Sequence, residues 1–280
     1  MKKKLPTILL VLIFLAGLCL LLYPSVSNYW NSIHQSKEIE KYDDNVSSLR
    51  DEEYNRILSD AYDYNEMLYQ KANRFKISKS EKKRYNETLN LGGYGIMGYV
   101  EIPTIKCTLP IYHSTDENVL QIAAGHIEGT SLPVGGVNTH CVLSGHRGLV
   151  SAKLLSDLDK MAEGDIFMLH VLDRTLTYKV DQIRIVEPRE VSDIEIVDGE
   201  DYCTLVTCTP YGINTHRLLV RGRRIENREF SDEMRVSAEA KQIDPIYVAP
   251  FVALPIIIGL SAYLLFKQRR RKQRGRKYEK

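Results

Sequence analysis

Cys208 closes the piece "TLVTC" (204 to 208), and nine residues on Arg217 stands inside "HRLLV" (216 to 220). A thiol attacks as its thiolate, which a nearby cation favours. If the two β-rich pieces are adjacent antiparallel strands joined by "TPYGINT", the two side chains come together. Such chemistry also needs a group to move a proton, and an imidazole does so near neutral pH. His146, in "LSGHRGLVS", ends an apolar piece just ahead of a turn, a good place to present its ring over a cleft. His34, His113, His126, His140, His170 and His216 sit in linker or strand contexts and read as surface or core residues. The bland alternative for Cys208 is a packed thiol, the commoner role of an apolar-flanked cysteine.

The other cysteines are Cys19, in an N-terminal apolar run, and Cys107, Cys141 and Cys203. There is no C-x-x-C and no histidine pair at ligand spacing, so no common zinc pattern is present. Nothing suggests a metal, nucleotide or other cofactor. Cys203 and Cys208 lie five apart in one strand, face opposite sides and do not easily pair. Cys107, Cys141 and Cys203 read as packed thiols, with their pairing left open.

Short β-rich pieces carry these residues: "GIMGYVEIP", "CTLPIYH", "CVLSGH", "DIFMLHV", "LTYKVDQIRIV", "CTLVTC" and "RLLVRGRRI". Turns rich in Gly, Pro, Asp and Asn separate them, the texture of a compact barrel or sandwich. One short helix is expected at "SAKLLSDLDKM" (151 to 161). Upstream, residues 37–75 are charged and free of Pro and Gly. Apolar residues recur there at Ile39, Tyr42, Val46, Leu49 and at Ile57, Ala61, Tyr64, Leu68, which predicts one or two amphipathic helices.

The ends indicate a membrane. After three lysines, residues 5–22 form an uncharged apolar run long enough to span, and its end, "LLLYP", lacks the small residues of a signal-peptide cut. A second run, residues 245–266, is followed by a tail, 267–280, with nine Lys and Arg against one Glu. By the positive-inside rule both termini are expected in the cytoplasm and the intervening chain outside. With the three lysines and the tail set aside, that intervening chain carries a net charge of about −9, which excludes nucleic-acid binding by charge.

"SGHRGL" (144 to 149), followed some sixty residues on by "TLVTCTPYGINTHRLLVRGRR" (204 to 224), resembles the sortases, cysteine transpeptidases of Gram-positive cell surfaces. "GIMGYVEIP" (95 to 103), "LPIYHSTDENVL" (109 to 120) and "HIEGTSLPVGG" (126 to 136) are similar to them too. "TCTPYG", the helical extension and the second apolar run resemble class C, the pilin polymerases. The resemblance implies a mainly β fold: an eight-stranded sortase β-barrel with N-terminal amphipathic helices and a transmembrane helix at each end. The expected organisation is a cytoplasmic stretch 1–4, a span 5–22, an extracellular helical extension 23–92, the barrel 93–226, a linker 227–244, a span 245–266 and a basic tail 267–280.

Carried over by resemblance, Cys208 is the nucleophile, His146 the general acid and base, and Arg217 the group that stabilises the oxyanion or positions the substrate. Thr207 is expected to line the site, and the loop of residues 187–202 to border a groove for an LPXTG-type sorting signal. The implied partners are pilin subunits carrying such signals and acceptor lysines, and the implied enzyme is a thiol peptidase of the hydrolase class. In class C, a lid bearing an Asp-Pro-aromatic motif precedes the barrel, whereas residues 72–85 here contain no Asp-Pro. A plugging lid of the usual kind is therefore not expected; the site is expected to be lidless or differently gated, and deleting 72–85 should change cleavage little. The alternatives are a housekeeping sortase that attaches proteins to peptidoglycan, and a non-enzymatic surface scaffold with a buried Cys208.

Overall fold

A computed structural model describes residues 5–227. The expected second span, the basic tail, residues 1–4 and all but the first residue of the linker lie outside the described residues. Helices α1 (Leu5–Ser47), α2 (Asp51–Tyr69) and α3 (Lys79–Glu87) come first. Then follow β1 (Ile96–Ile102), β2 (Cys107–His113), the short α4 (Glu117–Leu120), β3 (Ala124–His126), β4 (Thr139–Ser144), β5 (Ile166–Val171), β6 (Arg174–Val186), β7 (Asp201–Thr209) and β8 (His216–Ile225). The eight strands close into a barrel in the order β1-β2-β3-β4-β7-β8-β6-β5. β2 with β3 and β4 with β7 run parallel, and the other neighbours antiparallel. The expected eight-stranded barrel is therefore present.

Strand alternation decides which side chains fill it. Cys141 and Leu143 of β4, Cys203 and Leu205 of β7 and Leu218 and Val220 of β8 join Phe167, Leu169 and Tyr178 in the main core. Their neighbours Val142, Val206 and Leu219 face the other way and form a second, outer cluster with Val186 and Ile194.

The helical periodicity is also realised: Tyr42, Ala61, Tyr64 and Leu68 are buried against the barrel, with Val46, Leu49 and Ile57 packed beside them. Each such large buried side chain contributes roughly 2 kcal/mol. The Tyr42 hydroxyl donates to Met97 O at 2.9 Å and accepts from Leu172 N–H at 2.7 Å, fastening the end of α1 to the barrel. Ser78 and Glu81 form a capping box at the start of α3, which delivers the buried Tyr85 to Ser114 N–H and His126.

Two local expectations need correction. α1 does not stop near Leu22 but continues through Pro24 to Ser47, so the apolar run and the first amphipathic segment are one helix. A proline forfeits one backbone hydrogen bond, which flanking turns of a 43-residue helix readily tolerate. The helix expected within 151–161 is only a 3₁₀ turn, Leu158–Lys160. Leu154, Leu155 and Leu158 are apolar there because they are buried in the main core. The N-terminal part of α1 is long and apolar enough to cross a membrane.

Candidate active site

Cys208 and Arg217 are directly opposed partners of antiparallel β7 and β8. Opposed residues share a face, so thiol and guanidinium stand on the outer face that also carries Val206 and Leu219. Cys208 is the one half-buried cysteine of the barrel; Cys107, Cys141 and Cys203 are buried. Burial pushes the Cys107 thiol up to about 12 and raises that of Cys203 as well, so neither is poised to ionise. The Arg217 guanidinium donates through Nη1 to Asn214 O at 3.3 Å and His216 O at 3.0 Å, which ties it to the β7–β8 loop.

His146 arrives from the other side of β7. Ser144 of β4 pairs with Val206, and Gly145 N–H donates to Val206 O at 3.0 Å. Two residues further along these parallel strands, His146 comes level with Cys208. Its Nε2 is buried, has no hydrogen-bond partner among the described residues, and lies 3.6 Å from Glu117 Oε1 of α4. The other six histidines are engaged. His113, His126 and His140 are buried and hydrogen-bonded on both ring nitrogens, and burial brings His140 down to about 4. His170 bonds Glu101, His34 bonds Trp30 O and His216 bonds Thr215. A half-buried thiol, a cation opposite it and, alongside, an imidazole whose Nε2 makes no hydrogen bond form a set able to attack a carbonyl and protonate a leaving amine.

Thr207 does not line this site. It is one residue from Cys208 in the strand and so faces the barrel interior, 1% exposed, where its Oγ1 donates to Gly145 O at 2.8 Å. A residue that sequence reading passed over is Arg147. Its guanidinium pairs with Asp159, donates to Thr209 Oγ1 at 3.4 Å and lies 5.9 Å over the Tyr211 ring, locking the His146 loop to the loop after Cys208. Its position next to His146 was the available signal.

The apolar cluster on the outer face that also carries Cys208 is covered. Phe75 packs onto the cluster of Val142, Val186, Ile194, Val206 and Leu219. Arg74, only 5% exposed, donates through Nη2 to Ile194 O at 2.6 Å, pairs with Glu195 Oε2 at 2.8 Å and stacks 4.9 Å over Phe75. Gly129 gives this segment room: its φ is +87°, and a Cβ there would meet Arg74 O at 2.8 Å. Residues 74–75 are therefore a cover without an Asp-Pro motif, held by an arginine to the 187–202 loop. Deleting 72–85 would also remove the buried Tyr85, so that deletion does not isolate the cover.

A family model described as the sortase domain matches residues 100–225. Sortase A of Streptococcus agalactiae serotype III (strain NEM316) is 27% identical over 244 residues, 85% of this chain and 93% of that protein. The crystal structure of sortase C1 from Streptococcus agalactiae superimposes with a TM-score of 0.67 at 49% identity, covering 68% of this chain and 99% of that one. An X-ray structure of Clostridium perfringens sortase C with the C-terminal cell wall sorting motif gives a TM-score of 0.60 at 42% identity, over 68% and 99% of the two chains. A closed eight-stranded barrel of the sortase domain with a half-buried cysteine at the end of β7 thus defines a cysteine transpeptidase. The chain belongs to the sortase family, and these structural neighbours are class C sortases.

Proposed function

We propose that this sortase is a membrane-anchored pilin polymerase in which Cys208, His146 and Arg217 carry the reaction. The observation that supports it most is the opposition of Cys208 to Arg217, with His146 level with Cys208 just past the end of β4. The Cys208 thiolate attacks the Thr carbonyl carbon of an LPXTG-type signal, and Arg217 stabilises the oxyanion or positions the substrate. As the Thr–Gly amide bond breaks, His146 gives its proton to the departing Gly amine, leaving a thioester on Cys208. A lysine amine of the next subunit attacks that thioester and loses its proton to His146. The isopeptide bond forms, and the Cys208 sulfur leaves as thiolate. The 42% identity to a sortase C structure containing a cell wall sorting motif supports the substrate class.

In this reading residues 23–226 stand outside the cell and the apolar part of α1 spans the membrane. Residues 93–226 are the catalytic barrel and 23–92 its helical extension. The test uses the full chain in detergent with a fluorogenic LPXTG peptide, alone and with a pilin lysine peptide or a peptidoglycan-like amine. Cleavage lost in Cys208→Ala, with ligation to the lysine peptide, is the expected result. Ligation to the peptidoglycan amine alone would make it a housekeeping enzyme, and cleavage that survives Cys208→Ala would sink the assignment of the nucleophile.

A further inference from the structure

α1 runs unbroken from its apolar part into contact with the barrel. Asn28 Oδ1 accepts from Lys153 N–H at 2.8 Å, and Asn31 Nδ2 donates to Ser151 O at 2.8 Å. Ser151 and Lys153 belong to the loop that begins just after His146. Gln35 Nε2 adds a bond to Ile122 O at 2.7 Å, beyond the short helix whose Glu117 faces His146. The same stretch that leaves the apolar run therefore grips the rim of the active site.

Helix rise sets the height of that grip. At 1.5 Å per residue a core of about 30 Å entered at Leu5 ends near Ser25, so Asn28 and Asn31 lie about 5 and 9 Å beyond it, within the headgroup layer and just outside it. Large apolar side chains stand exposed at this level: Val26 62%, Tyr29 68% and Trp30 64%. Their spacing of three and four puts them on one helix face. Val150, beside Ser151 and 62% exposed, belongs to the gripped loop itself. Aromatic rings with polar edges settle at membrane interfaces.

We infer that Val26, Tyr29, Trp30 and Val150 form an apolar collar that seats the barrel on the interfacial layer of the lipid bilayer, with the His146 loop held at the membrane surface. The occupant is lipid because the collar is continuous with the apolar helix that enters the bilayer. The inference rests on the membrane-spanning part of the proposed function. It assigns a height to the active site: a membrane-held substrate is taken at the bilayer surface and not in the wall above it.

The full chain in lipid nanodiscs tests this. Trp30 is its only tryptophan. Lipids brominated near the headgroup end of the acyl chain should quench most of its emission. A Val150→Cys probe carrying a fluorophore, in a Cys19→Ser, Cys208→Ala background, should lose its emission to headgroup spin labels. A Val137→Cys probe, beyond the far end of β4 and 71% exposed, should stay bright. Val150→Asp should slow processing of a disc-anchored signal peptide and leave cleavage of the soluble peptide unchanged. A chain that alkaline carbonate strips from membranes would sink the spanning reading itself. An integral chain with Trp30 or the Val150 probe unquenched, or with both probes quenched alike, would overturn the collar alone.

Discussion

The Thr207 hydroxyl donates to the carbonyl oxygen of Gly145 at 2.8 Å inside the barrel, joining the residue before Cys208 to the residue before His146. Cys208 and His146, the pair proposed to act together, are thus registered from behind by a bond inside the barrel. Thr207→Val keeps the shape and removes the donor, leaving a buried carbonyl unsatisfied at a cost of about 1–3 kcal/mol. We expect lower thermal stability and a lower kcat with KM little changed, both restored by Thr207→Ser. A kcat that survives Thr207→Val would reduce the bond to packing.

Arg74→Ala removes the tether of Phe75 to the 187–202 loop, and Glu195→Gln weakens it by taking away the ion pair while the bond to Ile194 O stays. A hydrogen bond to a charged group contributes about 1.5–3 kcal/mol, so loss of the tether should raise the population of the uncovered site, and kcat/KM for a short signal peptide, by on the order of tenfold. Phe75→Ala should do at least as much. Circular dichroism confirms that each variant is folded. Unchanged cleavage in all three would mean that the cover leaves Cys208 open.

Arg217→Lys keeps a positive charge but loses the planar guanidinium, whose Nη1 now donates to the carbonyls of Asn214 and His216. The expected outcome is a fall in kcat of roughly a hundredfold, the scale of losing one oxyanion donor. Alkylation of Cys208 by iodoacetamide, followed in the same variant, separates a weakened nucleophile from a misplaced oxyanion.

Stability should fall on mild acidification. Burial holds His140 neutral down to about pH 4 in the folded chain, whereas the unfolded chain takes up its proton near 6.5. Between those values the unfolded state binds more protons, so stability rises with pH. Across the window this amounts to on the order of 3 kcal/mol. His113, also lowered by burial, adds in the same direction. Asp201, whose carboxyl burial raises, acts oppositely at the acid end, where the folded state holds its proton longer. Melting temperatures measured from pH 7 to pH 4.5 should decline, and His140→Gln should flatten the decline.

The barrel was legible because its strands alternate cleanly and its turns carry Gly, Pro, Asp and Asn, and the pairing of Cys208 with Arg217 followed from the loop between them. The same alternation that kept Cys203 and Cys208 apart also turns Thr207 inward, yet Thr207 was expected to line the site: closeness in sequence stood in for direction. The cover at Arg74 was hidden for another reason. It is defined by a partner, Glu195, far along the chain, and by chemistry that needs no Asp-Pro motif. α1 was read in two parts because its composition changes near Tyr23, although helical hydrogen bonding is indifferent to that change.

The barrel is closed, and β7 already has β4 on one side and β8 on the other. A peptide bound for Cys208 finds no free edge to extend and cannot be recognised by adding itself as a ninth strand, the sequence-tolerant route to binding an extended chain. It must be read through its side chains and by loop backbone. A closed barrel of this kind discriminates among extended segments by their side chains, since their backbone alone finds no strand edge to pair with.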